Sequence, residues 1–142
     1  LGFLIYSFAG LDGLLWVHLP IVLIASTAGV WLFYVQHQFE DTHWRDADDW
    51  NVHEAGLEGS SYYKLPEPLR WLTANIGMHH VHHLSSRIAF YRLPDVLRDY
   101  PELREIRTIT LFESFKCAGL KLWDEDRERL IRFSEMRSPA AA

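Results

Sequence analysis

Leu14 to Gln36 reads LLWVHLPIVLIASTAGVWLFYVQ, a run without Asp, Glu, Lys or Arg. It has about the 20 residues that an α-helix needs to cross the hydrocarbon core of a bilayer. The sequence therefore predicts a transmembrane helix over 14–36. Pro20 and Gly29 do not oppose this, because membrane helices tolerate both when neighbouring groups satisfy the freed backbone. Trp16 near one end and Trp31, Phe33 and Tyr34 near the other match the aromatic belts of a spanning segment. The competing reading is a wholly buried helix of a soluble domain.

Charge is distributed to the same effect. The chain has 142 residues, 49% of them hydrophobic, yet all fourteen Lys and Arg residues follow Trp44, and Asp12 is the sole formal charge in residues 1–36. The sequence divides into a membrane part, 1–36, and an aqueous part, 37–142. Within the first, Leu1 to Ala9 is apolar but spans only about half the core at 1.5 Å per residue, so it reads as a truncated helix. Residues 10–13 then form a turn, with Asp12-Gly13 as its turn residues. The start lacks both Met and the charged segment of a signal peptide, and the expectation is the carboxyl part of a longer protein. The excess of Lys and Arg after the helix puts the aqueous part in the cytoplasm, with a bacterial inner membrane as the expected location. A net charge of −5 argues against nucleic acid as a partner. The lone Cys117 forms no intramolecular disulfide, which fits a reducing compartment.

Chemistry concentrates in His79-His80-Val81-His82-His83, which follows the apolar segment Leu69–Met78. On a helix, His79, His82 and His83 stand at i, i+3 and i+4 and share one face, within reach of a common ion. Spacing leaves a second trio open, His79, His80 and His83. Neutral imidazole suits iron, zinc, copper or nickel. A solvated His run would sit in a polar linker, but here Ile76, Met78, Leu84 and Ile88 flank it.

A second segment lies where the spanning helix ends, at His37-Gln38-Phe39-Glu40-Asp41-Thr42-His43. His37 is placed at the membrane surface and is a fourth ligand candidate. Glu40 and Asp41 are positioned to accept the second ring N–H of ligating histidines, the usual way in which a protein fixes their tautomer. Asn75 precedes His79 by four residues, hence on the same face if the helix is continuous, and with His80 completes the possible supporting residues. His43 is a weaker candidate at six residues from His37. His18 lies about a membrane's thickness away, and His53 follows an acidic, hydrated run; both are left out of the site.

Three segments, WLFYVQHQFEDTHW (Trp31–Trp44), GSSYYKLPEPLRWLTANIGMHHVHHLSSRI (Gly59–Ile88) and LKLWDEDRERLIRF (Leu120–Phe133), together resemble the carboxyl half of integral-membrane fatty acid desaturases, the Δ12/ω-6 acyl-lipid group of bacteria and plastids above all. The resemblance runs from about Gly2 to Phe133. It implies an all-α membrane helical bundle with a cytoplasmic helical cap carrying a histidine-box site. It also implies two non-haem iron ions, with His79, His82 and His83 as the third histidine box and His37 as a further ligand. The first (HxxxH) and second (HxxHH) boxes have no counterpart among these residues, so the stretch alone is expected to be inactive. Ser86, Ala89 and Phe90 stand where the family pattern has Pro, Pro and Asn. The implied reaction is insertion of a cis double bond with O2 and two electrons from ferredoxin or a cytochrome b5 type donor, on an acyl-lipid or acyl-CoA substrate in contact with membrane lipid. Related hydroxylases or ketolases of lipids or carotenoids, and a non-enzymatic membrane metal-binding protein, are the rival readings.

Beyond the box, Pro94-Asp95-Val96-Leu97 signals a helix start, with Leu93, Val96, Leu97, Tyr100 and Leu103 as its apolar stripe. Thr108 to Phe133 interleaves Leu111, Phe115, Leu120, Leu122, Trp123, Leu130 and Ile131 with charges, and both stretches are expected in the cap beneath the metal. Binding of these amphipathic stretches to the membrane surface is the alternative. Ser138 to Ala142 reads as a disordered tail.

Overall fold

The uncharged run forms helix, and it does so with no polar face. A computed structural model describes residues 1–42, 44 and 48–136, so that His43 and the 138–142 tail lie outside the described residues. The chain divides into two compact units, Leu1–Phe33 and Tyr34–Ala142.

In the first unit, α1 (Gly2–Asp12) leads through a π-helical turn, Gly13–His18, into α2 (Leu19–His37), whose last residues belong to the second unit. None of residues 1–33 is buried, and Phe3, Trp16 and Ile24 are at least 70% exposed. A helix apolar on every side takes its cover from a surrounding apolar medium or a partner. By length and composition, Gly2–His37 is long and apolar enough to cross a membrane.

A break in the helix lies within the expected 10–13 turn, though not at Asp12-Gly13. It falls at Gly10 (φ 67°, ψ −168°), a backbone region open essentially to glycine, whereas Gly13 is helical (φ −62°, ψ −37°). Asp12-Gly13 therefore continues the helix instead of turning it. The π turn ends two residues before Pro20. Proline has no N–H to donate, and its ring clashes with the carbonyl four residues back, here Trp16; widening the preceding turn is a common way for a helix to absorb it.

Among the described residues the second unit holds five short helices: α3 (Val52–Glu58), α4 (Glu67–Leu72), α5 (His79–Leu84), α6 (Leu93–Asp99) and α7 (Leu111–Cys117). Their starts follow local chemistry. Asn51 Oδ1 accepts the backbone N–H groups of His53 and Glu54, at 2.9 and 3.4 Å, to open α3, and prolines in the first turn open α4 and α6. Met78, Val81, Leu93 and Leu97 form a buried cluster with Tyr62, Ile88, Val96 and Leu103 packed around it, so the inner face of α5 and the predicted α6 stripe share one core. Tyr100, the remaining stripe residue, is 55% exposed.

The unit is predominantly helical but not all-helical. β1 (Tyr62–Lys64) pairs in parallel with β2 (Thr108–Thr110), Tyr62 opposite Thr108, while β3 (Leu122–Asp124) and β4 (Arg129–Ile131) form an antiparallel hairpin. Tyr-Tyr, Thr-Ile-Thr and Leu-Ile favour strands, and the side chain of Asp124 accepts the Arg127 N–H at 3.1 Å within the hairpin turn. A purely helical cap is thereby corrected. Between β2 and α7 the Thr110 hydroxyl accepts the Glu113 N–H while the Glu113 carboxylate accepts the Thr110 N–H, a reciprocal cap. Thr110→Ala is expected to lower stability by about 1 kcal/mol, read as a shifted denaturant midpoint with an unchanged slope.

Candidate metal centre

Three imidazoles converge from two distant segments. His37 ends α2, and His79 and His83 lie one helical turn apart on α5. The Nε2 atoms of His37 and His83 are 3.2 Å apart and those of His83 and His79 are 3.1 Å apart, with one ligand atom from each of the three residues within 4.8 Å of the others. The rings meet edge to face, His37 on His79 at 87° and His79 on His83 at 88°. Nitrogens bound to one ion at about 2.1 Å stand about 3.0–3.4 Å apart, so the two close pairs, His37–His83 and His83–His79, have the spacing of a shared cation.

Tertiary hydrogen bonds hold His37 from both sides. The buried Gln36 gives its carbonyl to the Ser61 N–H at 3.0 Å, and Gln38 Nε2 donates to the Leu120 carbonyl at 3.2 Å. Beyond them Phe39 is buried and the Glu40 carbonyl accepts the Leu130 N–H at 2.9 Å. The box is fixed equally well. Tyr63 donates its N–H to the Gly77 carbonyl at 2.8 Å, Val81 is buried, and α3 lies against α5 with Gly56 facing the Cβ of His83.

Burial favours the neutral form of the two α5 imidazoles, His79 and His83, the state in which a ring nitrogen can bind metal. Burial, then the neighbouring His37, brings His79 down to about 3. Burial also lowers His83, with His37 and His82 adding to the effect. His79 Nδ1 is buried and closes no hydrogen bond, and its other nitrogen faces the trio.

The remaining histidines separate. His82 stacks on His79, with ring centroids 5.7 Å apart, but stands outside the three-nitrogen group. His80 is fully buried against Tyr62, with centroids 6.1 Å apart and neither ring nitrogen hydrogen-bonded. Burial lowers its pKa to about 4, partly offset by the Leu103 backbone at a geometry short of a full hydrogen bond. Of the two trios that the spacing left open, neither is the convergent one: His79 and His83 recruit His37 as their third member.

The supporting residues also differ from expectation. Glu40 pairs with Arg129, and Asp41 lies 3.7 Å from Arg107, so both carboxylates engage arginines. Asn75 is in a turn at φ 55°, not on the helix of His79, and its Nδ2 donates to the Phe90 carbonyl at 3.1 Å. That bond anchors the segment after the box at Phe90. Gly77, overlooked in the sequence, proves a tight point: a Cβ there would collide with the Tyr63 carbonyl oxygen. The signal available was a glycine two residues before the box.

A long apolar helix followed by a trihistidine cluster, in which His79 is buried, His37 half-buried and His83 exposed, defines a histidine-box chain. The sequence pattern of the fatty acid desaturase family matches residues 1–113, and the chain belongs to that family. A fatty acid desaturase of Bacillus subtilis (strain 168) is 44% identical over 128 residues, covering 90% of this chain and 36% of that protein. A sphingolipid delta(4)-desaturase, DES1, of Drosophila melanogaster is 35% identical over 83 residues, covering 58% of this chain and 23% of that protein. The chain thus spans about a third or less of the length of these relatives. No solved structure matches it.

Proposed function

We propose that these residues serve in a membrane acyl desaturase of Δ12/ω-6 type, inserting a cis double bond with O2 and two electrons. The observation that carries this reading is the convergence of His37 with His79 and His83 in a chain of the desaturase family. His37, His79 and His83 are the proposed ligands of one iron, and His82, half-buried and outside the three-nitrogen group, is proposed to serve a second. Three or four imidazoles are too few for two irons, so the stretch is expected not to turn over by itself. Iron, when bound, supplies the oxidising chemistry that an unactivated methylene requires and that no side-chain acid or base provides.

The chain's own residues set the conditions. Burial of His79 withholds a competing proton, and the backbone anchors around Gln36 and Gly77 hold the ligands in place. The apolar helix supports integral-membrane residence, and the clustering of Lys and Arg after it supports a cytoplasmic metal site. An acyl-lipid or acyl-CoA substrate and a ferredoxin or cytochrome b5 type donor belong to the same proposal.

Fatty acid methyl ester profiling tests it: a host supplied with oleate and a donor expresses the gene in full, or its His83→Ala variant. A new diene that disappears in the variant is the expected result. A hydroxylated product would point to the hydroxylase reading, and an unchanged profile with protein present would point to metal binding without desaturation.

A further inference from the structure

A second cavity in the Tyr34–Ala142 unit has a charge pattern that the desaturase reading does not use. It is an open cleft of about 410 Å³ beside the start of α5, a volume in the range of small-ligand sites. Lys64 and Thr108 line it from the β1–β2 pair, Arg70 from α4, and Arg104 from the 3₁₀ turn Pro101–Arg104. Met78 and Leu97, members of the buried cluster, supply apolar wall.

Three cations thus border the cavity, and no carboxylate is among its lining residues. Arg104 is aimed by its Nε–H bond to the Leu97 carbonyl at 2.7 Å. One Arg70 terminal nitrogen meets Glu67 at 2.6 Å, but Arg70 Nε is buried without an acceptor. A buried guanidinium nitrogen without a partner is costly, and a ligand oxygen would relieve it. Neither Lys64 nor Arg104 closes an ion pair among the described residues. A neighbouring cavity of about 320 Å³ shows the contrast: Arg107, Lys116 and Arg132 line it, but so do Glu40, Glu113 and Glu135. It is charge-balanced, whereas the first cavity is not.

We propose that the cavity at Lys64, Arg70 and Arg104 binds a phosphate group, with Met78 and Leu97 accommodating the apolar neighbour of a phosphate ester. Arginine forks suit phosphate oxygens, and mixed apolar and cationic walls suit an esterified phosphate. None of the proposed metal ligands lines the site. A phospholipid headgroup and a soluble phosphate offer the same chemistry.

The test uses the chain in uncharged detergent micelles at low salt, titrated by calorimetry with inorganic phosphate and, separately, with short-chain phosphatidylglycerol. Saturable binding is expected, weakened about ten-fold or more by Lys64→Gln and by Arg104→Gln. Arg98→Gln, whose arginine pairs with Asp95 and Asp99 away from the cavity, should leave it unchanged. Because Arg104 also braces Leu97, the exposed Lys64 provides the variant free of a folding effect. Tighter binding of phosphatidylglycerol would assign a lipid source, and tighter binding of inorganic phosphate a soluble one. Absence of saturable binding to either, or an equal loss in Arg98→Gln, would overturn the proposal.

Discussion

Replacing His79 with alanine in the purified chain lowers its affinity for a divalent ion by more than about 100-fold. Loss of a partner that merely orients a ligand already costs 10–100-fold, and His79 stands in the ligand trio itself. Its Nε2 lies 3.1 Å from that of His83, and its ring meets both other members of the group edge-on. Its removal leaves His37 and His83, with a void where the buried member was. His82→Ala serves as the comparison. Standing outside the three-nitrogen group, His82 should change the affinity of this single site only a few-fold. Cobalt(II) titration followed by visible absorption measures both. Equal losses in the two variants would mean that the ion sits on the face of His79 and His82 instead of between α5 and His37.

Gly77→Ala is expected to destabilise the Tyr34–Ala142 unit by about 3 kcal/mol, the upper part of the usual range for overpacking. The added methyl would run into the Tyr63 carbonyl oxygen, a backbone atom that no rotamer change can move aside. That same pair of segments is joined by the Tyr63 N–H bond to the Gly77 carbonyl, so relief of the clash draws β1 away from the start of the box. Metal affinity should fall together with stability. Gly29→Ala is the control, because nothing lies within 4 Å of a Cβ at Gly29 and alanine suits a helix better than glycine. Denaturation followed by far-ultraviolet circular dichroism reads both variants, and a Gly77→Ala midpoint equal to that of the parent would show that the β1–box contact yields without cost.

Much of the site was legible because it depends on local spacing. His79 and His83 are four residues apart, and any helix puts such a pair on one face. His37 was legible from its place at the end of the apolar run. The supporting residues were not, since their partners are remote: Arg129 is 89 residues from Glu40, and Phe90 reaches Asn75 only because the chain turns at Ala74 and Asn75, both at positive φ. No periodicity announces such a turn inside an apolar–aromatic segment. The strands failed for a similar reason. At three residues each they are too short for alternation to register, and pairing between Tyr62 and Thr108 is a long-range event.

The sequence by itself determined the long apolar helix, because length and lack of charge are properties of one segment, and it determined a histidine face on α5, because helical spacing is local. Which imidazoles meet was decided by the tertiary structure alone. Backbone bonds of Gln36 to Ser61 and of Tyr63 to Gly77, with the packing of Val81 of α5 against Leu93 and Leu97, bring His37 onto His79 and His83 and turn His80 into the core. Convergence of groups more than forty residues apart is a matter of packing, and packing is not written in the spacing of either segment.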